Sequence, residues 1–185
     1  ELDKEDEDAW YNLGNIHEEL GEVNLAVKCY TQAIKLNHNY YEAHLSRGYC
    51  YDLIGKYHLA LKDFSKAIAI SQDSADAWYA KADLEYSLGR LQESIDSYKE
   101  ALRYDKNNHE AWFTLAETYI ESGNWLDAVD CFNECIRIQP YDAEAYYGKA
   151  KVNFILSRTQ EAIECLKSAF SLDPIIKVMF EKEYL

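Results

Sequence analysis

Cys131 and Cys135 are the residues whose type and spacing come closest to a metal-binding or redox pair. They lie four residues apart, so a helix would place them one turn apart, where two thiolates can share a metal ion. Both fall at packing positions of a longer pattern described below, and Cys29 and Cys165 match Cys131 in it. Because a free cysteine behaves as a small apolar side chain, we interpret these thiols as core residues.

The other candidates for acid–base or nucleophilic chemistry are dispersed. Adjacent carboxylates such as Glu18 and Glu19 point in different directions from a helix, which is typical of a solvated face. No Ser/His/Asp or Cys/His set can be assembled by spacing, and no glycine-rich phosphate-binding motif or H-E-x-x-H motif occurs. We therefore expect no catalytic site, cofactor or metal, and the histidines to be packing or surface residues: His17, His38, His44, His58 and His109.

Composition limits the classes of partner. The 185 residues carry 33 acidic and 19 basic side chains, a net charge of −14, which disfavours nucleic acid and anionic membranes and leaves a protein partner. No apolar run is long enough to span a bilayer, and the acidic beginning does not resemble a signal peptide. Five cysteines without a disulfide framework favour a reducing compartment, so we expect a cytoplasmic location.

A period of 34 residues organises the chain. An acidic residue followed by alanine recurs at this interval, and the alanines are Ala9, Ala43, Ala77, Ala111 and Ala145. Aligned on them, the chain divides without gaps into five repeats: 7–40, 41–74, 75–108, 109–142 and 143–176. A fixed repeat of this length indicates one supersecondary unit that buries its apolar faces by stacking on its neighbours.

Each repeat predicts two helices. In its first half, small and large apolar residues occupy positions 3, 4, 7, 8 and 11, which is helical spacing, and an acidic residue at position 2 complements the helix dipole. Glycine at position 15 ends this helix by taking a left-handed conformation, with Ser157 replacing it in the fifth repeat. Apolar residues at positions 17, 20, 21, 24, 27 and 28 predict the second helix.

The segments "AWYNLGNIHEELGEVNLAVKCYTQAIKLN" and "AWFTLAETYIESGNWLDAVDCFNECIRIQP" resemble tetratricopeptide repeats in their Trp, Leu, Gly, Tyr, Gly, Ala, Tyr/Phe, Ala and Pro positions. The resemblance covers residues 7–176 and implies an all-α fold, a right-handed superhelix of antiparallel helix pairs in a single domain, 1–185. Position 7, usually leucine, departs from the pattern as Arg47, Lys81 and Lys149, whose stems we expect to cover apolar surface while the charges reach water. Position 11 departs as Glu85 and Asn153.

Both ends of the sequence resemble interrupted repeats. Leu2 is in register with position 30, so residues 1–6 are interpreted as the tail of an earlier second helix. After Pro174 the segment "IIKVMFEKEYL" predicts another helix, with 177–185 as a capping helix or the beginning of a sixth repeat. We therefore expect this sequence to be a piece of a longer protein.

The resemblance implies that the first helices line a concave groove that holds a peptide or helix of a partner. Positions 5, 9 and 12 face outward there, because the core uses the other positions. They are aromatic and acidic together, which favours a ligand with basic and aromatic residues. The predicted groove residues are Tyr11, Asn15, Leu45, Tyr49, Tyr79, Asp83, Tyr86, Phe113, Glu117, Ile120, Tyr147, Lys151 and Phe154.

The sequence thus predicts a non-catalytic scaffold for protein–protein interaction. Two alternatives stay open: the segment is the docking or regulatory arm of a larger enzyme, or it self-associates weakly through its solenoid ends. The rings at positions 5 and 12 also have a structural interpretation, since they can pack on the next repeat. The flanking sequence distinguishes the first alternative, and light scattering at several concentrations distinguishes the second.

Overall fold

A computed structural model describes residues 5–184, which form eleven α-helices and no strand. The predicted helix tail containing Leu2 lies outside the described residues. Five helices begin at the first position of a repeat and have thirteen residues each: α1 (Glu7–Glu19), α3 (Tyr41–Leu53), α5 (Ala75–Ser87), α7 (His109–Glu121) and α9 (Ala143–Ile155). The period therefore fixes where each first helix begins.

The second helices have fourteen residues and follow after a three-residue turn. They are α2 (Val23–Leu36), α4 (Tyr57–Ile70), α6 (Leu91–Tyr104), α8 (Trp125–Ile138) and α10 (Thr159–Leu172). The last helix, α11 (Pro174–Tyr184), comes directly after α10. The chain divides into two compact units: unit 1 extends to Leu88 and contains α1–α5, and unit 2 begins at Gly89 and contains α6–α11. The single-domain organisation stays a prediction.

Local backbone chemistry explains these bounds. In four repeats a polar residue just before the first helix caps it: Asp6 accepts hydrogen bonds from the Asp8 and Ala9 amides, and Ser74, Asn108 and Asp142 act alike. Such a cap contributes about 1 kcal/mol. The predicted left-handed residue after the helix is confirmed, with φ between 70° and 77° at four glycines and 59° at Ser157. The residue at position 15 therefore takes the same left-handed conformation in all five repeats.

Consecutive helices pack on one another within each unit, and small residues allow this. In unit 1 the ring of Phe64 is buried with Ala60, Ala80 and Leu84, and the ring of Tyr30 with Ala26 and Cys50. In unit 2 Cys165 and Leu166 are buried against Ala150. All five cysteines are free and buried, which confirms their interpretation as core residues.

The side chain of Arg47 differs from the expectation that its charge reaches water. Its side chain is only 15% exposed, and the guanidinium lies on the buried carboxylate of Asp63 in α4 rather than in water. His44 completes this cluster, because its Nδ1 lies 3.2 Å from Asp63 Oδ1 and its Nε2 lies 3.2 Å from the carbonyl oxygen of His38. The reason is that Asp63 occupies a core position, where a buried carboxylate requires a charged partner.

The last helix begins at Pro174, in agreement with the helix predicted for the segment after this proline, and three residues before the first position of a sixth repeat, 177. Asp173 caps α10 and accepts a hydrogen bond from the Ile175 amide, at 2.8 Å, so the chain turns at once into α11. Pro174 suits the first position of a helix because it has no amide hydrogen to satisfy. Phe180 of α11 packs on Phe170 of α10, with ring centroids 5.6 Å apart. The helix is thus confirmed, but its register differs from that of the preceding first helices.

Candidate functional site

Five of the predicted residues meet in one groove of unit 2, which we call the inner groove. It has a volume of about 470 Å³ between α7 and α9, and Phe113, Glu117, Ile120, Tyr147 and Lys151 line it. An adjoining hollow of about 390 Å³ shares Tyr147 and Lys151 and adds Phe154 and Phe180. The predicted positions 5, 9 and 12 therefore converge on one surface in this unit.

The inner groove combines an apolar floor with charged groups. Phe113 meets Phe132 of α8 edge to face, with centroids 5.7 Å apart, and stacks near His109. The ammonium of Lys151 lies over the ring of Tyr147, 5.5 Å from its centroid. Partial burial, then the carboxylates of Glu121 and Glu144, raise the pKa of Glu117 above its ordinary value, and Lys151 partly counteracts this. The groove therefore holds a carboxylate that a further positive charge would stabilise.

The position-5 rings also have a structural role. Tyr11 packs on the core around Tyr30, Leu45 on the core around Phe64, and Tyr147 on the core around Leu166. Each is half-buried rather than fully exposed. These side chains thus present one edge to the core and the other to the surface. Packing against the core therefore accounts for their presence, as the structural interpretation of these positions expects.

In unit 1 the predicted residues are more dispersed. Tyr11 and Asn15 line a shallow groove of about 400 Å³ together with Glu18 and Ser46. The Tyr30 hydroxyl donates to the Glu18 carboxylate at 2.6 Å and lies 2.8 Å from Asn15 Oδ1, which fixes both side chains from below. Tyr49 is 42% exposed, and the remaining three are half-buried: Tyr79, Asp83 and Tyr86.

Several groove residues were missed by the sequence analysis. Glu144, Gly148 and Ile155 lie at repeat positions 2, 6 and 13, which helical spacing ranks as exposed, so the signal was present. Phe132 comes from a second helix, and Ile176 from α11, and neither has a signal in the first-helix pattern. At Gly148 a Cβ atom would collide with the ring of Phe132, so glycine is needed where α9 crosses α8.

The described residues offer little for metal or thiol chemistry. Among residues 5–184, no group of three or more His, Cys, Asp or Glu side chains could hold a metal ion. Burial raises the pKa of Cys131, and raises that of Cys135 to about 12, so both thiols stay protonated at neutral pH. In the same part of the chain, no helix is both long and apolar enough to cross a bilayer.

Comparison with solved structures shows the fold. The crystal structure of MamA is 21% identical, covers 91% of this chain and 92% of its own, and has a TM-score of 0.85. YrrB, described as a TPR protein with an unusual peptide-binding site, is 21% identical over 99% of this chain and 94% of its own, with a TM-score of 0.85. MamA 41-end from Desulfovibrio magneticus RS-1 is 13% identical over 94% and 98%, with a TM-score of 0.83. These similarities show a TPR solenoid fold.

Family comparisons agree with the period. Models described as "Tetratricopeptide repeat" match residues 7–40, 29–62, 109–142 and 143–175, and one described as "TPR repeat" matches 82–123. A search of curated proteins gives no significant match. Three of the matched segments coincide with the repeats that the spacing of the alanines predicts, to within one residue. The chain belongs to the tetratricopeptide repeat family.

Proposed function

We propose that this chain is a non-catalytic scaffold that binds a segment of a partner protein in the inner groove of unit 2. The convergence of Phe113, Glu117, Ile120, Tyr147 and Lys151 on one groove is the observation that supports this function. A volume of this size, an apolar floor and a few charged groups are together typical of ligand-binding sites. The segment carries basic and aromatic residues.

The charges that line the groove support a ligand with basic residues. The groove lining contains two carboxylates, Glu117 and Glu144, against one ammonium, Lys151. Burial, and then repulsion from the carboxylates of Glu121 and Glu144, raises the pKa of Glu117, so a lysine or arginine of the ligand that approaches it stabilises a charge that is disfavoured in the free protein. An acidic segment would add to that repulsion.

Packing supports the aromatic part. Phe113 and Ile120 are half-buried, and Ile155 is 54% exposed, so apolar surface remains open along the groove. A planar side chain inserted there would cover this surface. The site is also held before binding: His109 Nε2 lies 2.7 Å from Asp142 Oδ2 and joins the beginning of α7 to the cap of α9. A preformed groove reduces the ordering cost of binding.

The test is a peptide array screened with the natural chain, followed by fluorescence anisotropy of the peptides that bind. Phe113→Ala and Glu117→Gln are expected to weaken binding of basic-aromatic peptides with helicity retained in circular dichroism. Glu93→Gln, an exposed carboxylate of α6, makes the same change of charge and should leave affinity unaltered. Tyr79→Ala tests unit 1 in the same assay. Undiminished binding by Phe113→Ala and Glu117→Gln would place the site elsewhere and contradict the proposal.

A further inference from the structure

A second and larger groove of unit 2 lies between two second helices, α6 and α8, and we call it the outer groove. Its volume is about 750 Å³, and α7 forms its floor with Trp112, Leu115 and Tyr119. These are positions 4, 7 and 11 of the repeat, whereas the inner groove uses positions 5, 9 and 12 of the same helix. At 3.6 residues per turn the two sets of side chains leave α7 about 130° apart, so the outer groove is a separate surface.

The floor of the outer groove is apolar. Leu102, Leu115 and Cys131 are buried beneath it, and Trp112 is half-buried over them. The indole nitrogen of Trp112 donates to the carbonyl oxygen of Lys106 at 3.0 Å, which fixes the ring and satisfies its polar group. The open part of the ring can therefore contact a ligand only through apolar surface, as tryptophan does at the centre of many interfaces.

The two walls carry opposite charges. Lys99 and Arg103 of α6 line one wall, followed by Lys106 in the turn, and Asp127, Asp130 and Glu134 of α8 line the other. Among the described residues, no ion pair joins the walls: Arg103 pairs with Glu100 of its own helix at 3.5 Å, and neither Asp127 nor Asp130 makes an ion pair. Beside the turn after α6, Arg137 of α8 pairs with Glu134 at 2.7 Å and donates to Asn107 at 3.2 Å, so the carboxylate of Glu134 already has a partner.

The charges recur once per helical turn along each wall. Lys99 and Arg103 are four residues apart, a rise of about 6.0 Å along the helix, and Asp127, Asp130 and Glu134 are three and four apart, rises of about 4.5 Å and 6.0 Å. The side chains on one face of a third helix laid between them follow the same intervals of three and four residues, whereas those on one face of an extended strand repeat at a constant distance of roughly 6.6 Å. The spacing matches a helical ligand.

We propose that the outer groove binds an amphipathic helix of a partner protein. The helix places an apolar stripe on Trp112, acidic residues along the edge that faces Lys99 and Arg103, and basic residues along the edge that faces Asp127 and Asp130. Opposite charges on the two walls select for a ligand with opposite edges, and disfavour one whose edges carry a single sign. This site does not depend on the function proposed for the inner groove.

The test uses three labelled synthetic helices of about 18 residues, five turns, with the same leucine stripe. One has glutamate on one edge and lysine on the other, one has glutamate on both edges, and one has lysine on both. A peptide with the edges exchanged is no control, because it would bind with its chain direction reversed. We expect the mixed-edge helix to bind about tenfold more tightly than the other two and to shift the indole resonance of Trp112 in NMR spectra.

A double substitution that should change which peptide is preferred distinguishes loss of the proposed site from loss of folding. Lys99→Glu with Arg103→Glu makes both walls acidic, so the preferred peptide should become the one with lysine on both edges. Lys35→Glu with Lys62→Glu, two exposed residues of unit 1, changes the net charge equally and should keep the natural preference. Equal affinity for the three peptides, an unchanged preference after the wall reversal, or bound peptide without helical circular dichroism would overturn the proposal. So would dimerisation of the natural chain alone that the wall reversal abolishes, since the occupant would then be a second copy.

Discussion

The guanidinium of Arg47 and the carboxylate of Asp63 form a paired hydrogen bond in unit 1, with Nε–Oδ2 at 2.7 Å and Nη2–Oδ1 at 2.8 Å. Arg47 also donates to Thr31 Oγ1 at 3.0 Å, which joins α3 to α2 of the preceding repeat. In the first repeat the positions of Arg47 and Asp63 are held by Leu13 and Cys29, and in the fourth by Leu115 and Cys131. A charged pair therefore occupies a site that the same fold elsewhere fills with apolar side chains.

This relationship predicts that breaking the pair is costly, whereas replacing the whole cluster is not. Asp63→Cys alone should lower the free energy of unfolding by about 3–5 kcal/mol, because Arg47 is left buried without its partner. The triple change His44→Trp, Arg47→Leu and Asp63→Cys copies the fourth repeat and should leave stability equal to that of the natural chain, or raise it by up to about 4 kcal/mol.

Urea denaturation followed by far-ultraviolet circular dichroism compares the three proteins. Arg47→Leu alone serves as the second single variant, since it leaves the carboxylate of Asp63 with His44 as its remaining partner. If the triple variant were less stable than the natural chain, the cluster would contribute more than apolar packing at the same place, and the prediction would fail.

Acid should weaken this cluster over a defined range of pH. Burial raises the pKa of Asp63, but the hydrogen bonds and charges of Arg47 and His44 lower it by more, so the folded-state pKa is below the ordinary value. A lowered carboxyl pKa contributes stability that is complete above the unfolded value, about 3.9, and is lost as the pH falls through the folded value. The difference in unfolding free energy between the natural chain and the triple variant should be constant above about pH 5 and should move in favour of the variant below about pH 4. A difference in unfolding free energy that stays constant over the whole pH range would contradict this.

The 34-residue repetition predicts the helices and turns well, but it does not predict the contacts made by residues that depart from the repeat pattern. The helix beginnings at Glu7 and His109 and the left-handed glycines follow from local chemistry that recurs every 34 residues. The pairing of Arg47 with Asp63 was not foreseen, because it joins two helices through side chains that differ from the repeat pattern. The outer groove was not foreseen either, since helical spacing assigns Trp112 to the core and cannot show that one side of its ring remains open.

Ser157 offers a test of the turn between the two helices. It has φ of 59°, a conformation that costs a non-glycine residue about 1–2 kcal/mol, whereas the corresponding turns use glycine. Ser157→Gly should therefore raise the free energy of unfolding by about 0.5–1 kcal/mol, after the larger entropy of glycine in the unfolded chain is subtracted. Gly123→Ser is the matched reverse change and should lower stability by a similar amount. Thermal unfolding measures both, and two shifts of the same sign would contradict the explanation.

Asn153 is a buried polar side chain without a partner among the described residues. It is fully buried in α9, and neither its Oδ1 nor its Nδ2 makes a hydrogen bond there. Asn153→Leu keeps a similar volume and removes the desolvated amide, so it should raise the free energy of unfolding by about 1–3 kcal/mol. Asn153→Ala removes the same amide but leaves a cavity, so it should gain less than the leucine variant. A leucine variant less stable than the natural chain would show that the amide makes a favourable interaction.

The ionisation of Glu117 makes the charge of the inner groove depend on pH. Because its pKa is raised above the ordinary 4.5, protonation begins at a higher pH than for an exposed glutamate, and a basic peptide loses its counter-charge as the pH falls through that value. Affinity for a basic-aromatic peptide should therefore decrease on acidification, and Glu117→Gln should bind roughly fivefold more weakly at neutral pH with a flatter pH dependence.

Without peptide, the effect of Glu117→Gln on stability has the opposite sign. A raised carboxyl pKa destabilises the folded state once the group ionises, so Glu117→Gln should be slightly more stable than the natural chain at neutral pH. Anisotropy titrations and thermal unfolding measure the two effects, and a variant that loses both affinity and stability would show that Glu117 supports the fold rather than the ligand.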